Sequence, residues 1–336
     1  MSNFQHPKFG EVLRTPDSAF ENLSDYPFQP NYMDVDGLRM HYIDEGRGNG
    51  ETIFLLHGQP SWSYLYRHMI PQLVAAGYRV IAPDLIGFGK SDKPAAASPY
   101  SYQAQVDWMS EFVEKLGLDG AHAFMQDWGG MIGLRVMAQK PSWISRLIVA
   151  NTALADVKGP AAFFLPKILK TLKFLAGKAS LKALARKQSY GNWASYFHWA
   201  EAIEIGEIMQ ILTTRHLSEE EKAAYDAPFP ENRYHVATRV MPQIVAIQLP
   251  QARLAWDDLR KSATPVMTLF SDKDPFLAGQ GIDKQFQSLP GAQGQPHLTI
   301  EHASHFLQED KGNELVKRIL AWSLPNQLAK QAEPSV

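Results

Sequence analysis

The sequence predicts an α/β protein: a mostly parallel sheet with helices on its faces, interrupted late in the chain by a block of helices. Three observations carry that expectation. Short β-branched and apolar runs recur between Gly and Pro punctuation, helical patterns fall between most of them, and strands are missing between Asn151 and Thr264. The chain of 336 residues, 45% of them hydrophobic, has enough apolar material for a full core.

Taken in order, the first clear strands are expected over 38–43 and 52–56, the former antiparallel because only the Gly-rich turn at 46–50 separates them. Further strands are expected over 78–82, 121–125, 147–151, 266–270 and 297–300. The intervening block reads as a helical cap over 152–263 on the carboxyl edge of a core made of 1–151 and 264–324, followed by a loosely held polar tail over 325–336.

Charge and composition narrow the partner. A formal charge of −2 and a pI near 6.6 give nucleic acid no reason to bind. With no cysteine, the chain has no disulfide, thiolate metal site or thiol nucleophile. No metal-ligand cluster stands out, and Gly87-x-Gly89 lacks the third glycine of a phosphate-cradling loop, so neither cofactor nor metal is expected. The N-terminus lacks signal-peptide character and no apolar run is long enough to span a bilayer. The expectation is a soluble, cytoplasmic monomer that acts on a small molecule and does not associate with membranes.

The sharpest local signal is Phe124-Met125-Gln126-Asp127-Trp128-Gly129-Gly130, an apolar strand running into an acid and then, through two glycines, into a helical pattern. A tight strand-to-helix turn of this kind aims the side chain at its apex out of the sheet edge. Asp127 stands where such turns carry a nucleophilic serine, and Gly-x-Ser-x-Gly occurs nowhere in the chain. A carboxylate there attacks sp³ carbon by displacement, forming an ester that water must open. An aspartate before a helix is also an ordinary N-cap. Three further elements favour chemistry. His57-Gly58-Gln59-Pro60 follows the strand at 52–56, so the amides of Gln59 and Trp128 are candidate oxyanion donors. Ser271-Asp272-Lys273-Asp274 follows the strand at 266–270 and offers two acids to orient an imidazole. Among eleven histidines, His302 and His305 follow the last strand, which completes the chain order nucleophile, acid, histidine.

The stretch from His57 to Arg67, then Pro83-Asp84-Leu85-Ile86-Gly87-Phe88-Gly89-Lys90-Ser91-Asp92-Lys93-Pro94, and Gln126-Asp127-Trp128-Gly129-Gly130 resemble the haloalkane dehalogenase family. The resemblance implies an α/β-hydrolase fold, with a mostly parallel eight-stranded sheet flanked by helices and a helical cap inserted after the sixth strand. It implies Asp127 as nucleophile, His305 as general base and Asp274 as the triad acid, leaving Asp272 as a turn residue. Asn151, after an earlier strand, is no acid, which places the sequence in the branch whose acid follows the penultimate strand. Trp128 would be one of two halide-holding indoles. The second comes from the cap, where Trp193 and Trp199 compete; counting back from Ala224-Tyr225-Asp226-Ala227-Pro228-Phe229-Pro230 favours Trp199. The implied substrate is a halogenated alkane, with water as second reactant and alcohol and halide as products. Gln59 stands where some relatives carry an acid, and its side chain is a candidate for placing water or touching halide. Epoxide hydrolases share the nucleophile, acid and histidine and differ in using cap tyrosines, for which Tyr190, Tyr196, Tyr225 and Tyr234 are available.

From Val157 to Ala200 there is no Asp or Glu, whereas Lys158, Lys167, Lys170, Lys173, Lys178, Lys182, Arg186 and Lys187 crowd the segment. On a helical wheel Lys167, Lys170 and Lys173 fall opposite an arc of Phe164, Leu165, Ile168, Leu169, Leu172 and Leu175. The expectation is a cap helix that buries the apolar arc and leaves the lysines in water; the alternatives are an anionic membrane surface or partner, or a field that draws halide out of the site.

Overall fold

The computed structural model describes residues 3–245 and 248–331. The main sheet has eight strands: β1 Asn31–Val35, β2 Leu38–Glu45, β3 Thr52–Leu56, β4 Arg79–Pro83, β5 Ala121–Gln126, β6 Ile144–Ala150, β7 Val266–Ser271 and β8 Leu298–Ile300. Their spatial order is β8-β7-β6-β5-β3-β4-β2-β1. All neighbours from β8 to β4 run parallel, while β2 is antiparallel to both β4 and β1. This is the mostly parallel α/β-hydrolase sheet that the sequence led us to expect, with the helical block following the sixth strand.

Two details differ. β2 is antiparallel, but to β4, with Tyr42 opposite Pro83, and not to β3 across the short turn. β1 went unread because it is an edge strand: of Asn31-Tyr32-Met33-Asp34-Val35 only Val35 is fully buried, so the alternation that marks a half-buried strand is weak. A small separate sheet joins Phe4–His6, Gly10–Leu13 and Lys93–Pro94.

Central strands read as continuous apolar runs because both faces are covered. Every residue of β5 is buried. The strand order reverses at β3, whose neighbours β4 and β5 lie on opposite sides. A crevice at the carboxyl ends is the general consequence of such a switch point. The loops after β3 and β5 open side by side there, since Leu56 pairs with Met125 at the strand ends.

The cap comprises helices Pro160–Leu175, Leu181–Arg186, Tyr190–Trp199, Ile205–Ile211, Glu219–Asp226 and Val236–Ile244. The next helix, Leu249–Leu259, lies within the span assigned to the cap from sequence but packs on Trp128–Gln139 in the core layer, and its Trp256 indole donates to Leu154 O at 2.8 Å. An ion-pair network joins cap to core: Arg67 holds Glu221 at 2.7 Å and also Glu309, and Arg215 bridges the same two carboxylates. The backbone is helical from Leu307 to Gln331 across a kink at Lys311, so the expected tail begins inside this helix; residues 332–336 lie outside the described residues.

Candidate active site

Asp127 sits at the turn between β5 and the helix Trp128–Gln139 with φ 51° and ψ −128°. For a residue with a Cβ, such backbone costs on the order of 1–3 kcal/mol and persists only where the surroundings enforce it. Here Asp127 N–H donates to Asn151 O at 3.0 Å, and Asp127 O accepts from Gly130 N, Met131 N and, at 2.5 Å, Thr152 Oγ1. Glycine is required at two neighbours. A Cβ on Gly129 would overlap the carbonyl oxygens of Leu56 and His57, and one on Gly58 would overlap the Asp127 carboxylate itself.

The side chain of Asp127 does not cap the helix that follows it. Instead Gln59 N–H donates to Oδ1 at 2.7 Å. The other oxygen, Oδ2, lies 3.5 Å from His305 Nε2, and the side chain keeps 23% of its surface accessible. The loop carrying Gln59 is pinned by His57, whose Nε2 accepts from Leu85 N at 3.0 Å while Nδ1 faces Gly58 O at 2.9 Å. Burial above all pushes the His57 pKa down, which suits a neutral ring with its proton on Nδ1. The Gln59 side chain is turned to the cap, donating from Nε2 to Thr238 O at 3.2 Å.

His305 Nδ1 meets Asp274 Oδ2 at 2.8 Å, and the Asp274 side chain is sealed from solvent. Asp274 Oδ1 in turn accepts from Phe276 N and Leu277 N at 2.8 and 3.1 Å, so both oxygens are committed. Asp272 faces away and accepts from Ala303 N, tying together the loops after β7 and β8. His302 is exposed and its backbone O accepts from Thr214 of the cap. The structure therefore brings Asp127, Asp274, His305 and Gln59 together and leaves Asp272 and His302 outside.

Burial by itself would lower the His305 pKa; the facing carboxylates of Asp274 and Asp127 outweigh it and push the group up to about 10.

Three polar residues complete the site without having been singled out for it by the sequence. Gln126 Nε2 lies 3.1 Å from His305 Nε2 and donates to His305 O at 3.3 Å. A polar residue closing an otherwise apolar strand was the available signal. Asn151 is a brace: Nδ2 donates to Ser271 Oγ, Ser304 O and His305 O, while Oδ1 accepts from Ser271 N. Asp310 accepts from Ser304 N on one oxygen and from Thr214 N and Arg215 N on the other, which fixes the cap to the loop that carries His305.

The indoles separate clearly. Trp128 is buried, its ring edge-on to Tyr102 at 5.3 Å. Trp193 is buried and packs on Phe276 at 5.6 Å, and Phe276 packs on His305 at 5.7 Å. Trp199 is 39% exposed and contacts Phe174 and His198, away from this cluster. The structure thus does not bring Trp199 to Asp127, contrary to the expectation from counting residues in the cap. Helix Tyr190–Trp199 turns 100° per residue, so positions 193 and 199 point about 120° apart. Three other indole N–H groups are occupied: Trp62 donates to Ala224 O, Trp256 to Leu154 O and Trp322 to Gln295 Oε1.

Three of the four cap tyrosines are hydrogen-bonded to other groups. Tyr190 donates to Pro242 O, Tyr225 to Glu309, and Tyr196 Oη accepts from Glu204 N. Burial pushes the Tyr190 and Tyr196 hydroxyls up to about 12. His68, Glu221 and Glu309 offer ligating atoms within 4.8 Å of one another, but both carboxylates are held by Arg67 and Arg215, so this group is an ion-pair network.

Comparison with known proteins gives the family of the chain. Residues 51–312 match the family model described as alpha/beta hydrolase fold. A haloalkane dehalogenase of Mycolicibacterium paratuberculosis is 43% identical over 93% of this chain and 98% of its own length. The chain belongs to the haloalkane dehalogenase family. A second dehalogenase, from Psychrobacter cryohalolentis, is 42% identical over 92% of this chain and 97% of its own. The solved tetrameric haloalkane dehalogenase of Paraglaciecola agarilytica superposes with TM-score 0.75 at 30% identity, covering 92% of this chain and 98% of that one. A cis-3-alkyl-4-alkyloxetan-2-one decarboxylase of Xanthomonas campestris is also similar, at 33% identity over 90% of this chain and 98% of its own length.

Proposed function

We propose that this dehalogenase cleaves carbon–halogen bonds of haloalkanes through an ester on Asp127, with His305 as base, Asp274 as its orienting acid, and Trp128 and Trp193 as halide donors. The observation that carries the reading is the unequal treatment of the two Asp127 oxygens. Oδ1 is held by the Gln59 amide at 2.7 Å, whereas Oδ2 stands 3.5 Å from His305 Nε2 on a side chain that keeps 23% of its surface accessible. Oδ2 attacks the carbon in line, the new C–O bond forming as the C–halogen pair departs with the halide. Indole N–H groups donate and do not accept, so Trp128 and Trp193 favour the charge growing on the leaving atom. Water then adds to Cγ of the ester as His305 Nε2 takes its proton. The oxyanion forms on Oδ1, against the amides of Gln59 and Trp128. Collapse releases the alkoxide, which takes the proton from His305; the second water proton leaves as the carboxylate is restored. With Nδ1–H given to Asp274, Nε2 of the neutral ring is left to take the water proton, and Gln126 Nε2, donating to His305 O at 3.3 Å, steadies the residue that carries the ring.

The raised pKa of His305 suits this order of events. While Asp127 is ionised, the imidazolium faces two carboxylates and holds its proton. Alkylation removes the charge of Asp127, so the ring gives up its proton more readily once a base is needed. Halide release in a single turnover is expected to vary little across neutral pH, while ester hydrolysis rises with pH and levels off below pH 10. Rapid-quench measurement of both steps checks this; hydrolysis still rising through pH 10 would contradict it. The same ion pairing contributes to stability fully below the unfolded histidine pKa, roughly 6.5, and that contribution is lost as pH rises through about 10.

Incubation with a short bromoalkane is expected to yield bromide and alcohol in equal amounts. Tyr190 and Tyr225 already donate to Pro242 O and Glu309, which speaks against their protonating an epoxide oxygen. Absence of bromide release together with hydration of an epoxide, or loss of carbon dioxide from a 3,4-dialkyloxetan-2-one, would replace this reading by one of its rivals.

A further inference from the structure

The cap helix Pro160–Leu175 does not bury the arc that its apolar periodicity marks out. Leu165, Leu169 and Leu172 turn inward together with Lys173, which is buried and donates from Nζ to Gln243 Oε1 at 2.8 Å. Left outside are Phe163, Phe164, Ile168, Phe174 and Leu175, at 63%, 52%, 53%, 52% and 77% exposure. A helix that served only to cover a core would place these residues and Lys173 the other way round. The apolar surface extends beyond the helix. Phe163 shares a groove of about 760 Å³ with Leu254, itself 62% exposed, and Phe174 contacts the exposed Trp199. The patch is basic: the Lys167 ammonium lies 3.6 Å from the Phe163 ring centre, Lys170 is exposed on the same helix, and Lys158 and Arg253 line the groove. Asp257, also at the groove, is held by Arg260 at 3.1 Å.

We infer that this face of the cap docks on an anionic lipid bilayer, its aromatic and aliphatic side chains entering the headgroup boundary and its lysines meeting acidic headgroups. Charge decides between a bilayer and a second copy of the chain. A two-fold contact between copies would set Lys167 and Lys170 against themselves, and the segment from Val157 to Ala200 has no acid to place opposite them. The chain as a whole carries a formal charge of −2, so attraction to an acidic surface belongs to this patch. The helix has 16 residues, too few to cross a bilayer, and among the described residues no helix is long and apolar enough to do so; the cap lies on the surface.

The test is sedimentation of the full chain with vesicles of phosphatidylcholine alone and of phosphatidylcholine mixed with phosphatidylserine. Binding is expected to the mixed vesicles and to weaken at high salt. Phe164→Ser/Ile168→Ser/Leu175→Ser and, separately, Lys167→Glu/Lys170→Glu are each expected to lower the partition coefficient about tenfold or more. Both variants retain turnover of a water-soluble haloalkane, because neither touches the site; the vesicle measurement itself requires no activity. Failure of the wild-type chain to bind the mixed vesicles overturns the inference, as does equal binding by the variants. A vesicle-indifferent oligomer that the triple serine variant converts to monomers would assign the patch to contact between copies instead.

Discussion

His305→Phe is expected to release one halide per chain and then stall, with the alkyl group retained on Asp127. Displacement asks nothing of the imidazole as a base, because halide leaves without a proton. Hydrolysis of the ester does, and general-base catalysis is typically worth about 10²–10⁴ in rate. Steady-state turnover should therefore fall at least that far while the halide burst survives. The substitution suits the site, since the His305 ring already packs edge-on against Phe276 at 5.7 Å and Phe306 at 5.0 Å. Asp274 loses the imidazole but keeps two backbone donors, Phe276 N and Leu277 N, so its carboxylate is not stranded. Intact mass after exposure to a bromoalkane should show the alkyl increment, and peptide mapping should place it on Asp127. A variant that releases halide yet remains unmodified would mean that Asp127 is not the nucleophile, or that another group opens the ester.

What the sequence made legible follows from where each residue sits. Asp127, Asp274 and His305 each lie in a short loop directly after a sheet strand, and a strand ending in a turn is a local pattern. Their approach to one another then follows from the parallel pairing of β5, β6, β7 and β8, which brings the carboxyl ends of these strands to one edge of the sheet. The partners of β2 were not legible, because strand pairing is settled by how the chain crosses the sheet and not by the nearest turn. The bracing by Asn151 was hidden for a similar reason: its partners Ser271 and Ser304 lie far along the chain on other loops. The cap was hardest to read. Periodicity shows that Pro160–Leu175 is amphipathic, but the arc that faces inward depends on its neighbours, and there the buried Lys173 bonded to Gln243 displaces the simple pattern. Two tryptophans six residues apart cannot be ranked by spacing when the phase of their helix is unknown.

Trp193→Phe is expected to slow halide displacement about 10²–10³-fold, and Trp199→Phe to change it by no more than about twofold. Phenylalanine keeps an aromatic ring against Phe197 and Phe276 and removes only the N–H, so the loss reports the donor and not the packing. A substitution of the half-exposed Trp199 changes a side chain that packs on Phe174 and His198. Single-turnover halide release measures both, and bromide quenching of tryptophan fluorescence gives an independent readout of halide affinity. The leaving group supplies a sharper criterion. Chloride, the poorer leaving group, depends more on stabilisation of its developing charge than bromide does. Trp193→Phe should therefore penalise a chloroalkane more than the matching bromoalkane, whereas a purely structural loss would slow the two alike. Full activity in Trp193→Phe with a large loss in Trp199→Phe would require the cap helix to turn by about 120° between the form described above and the working enzyme.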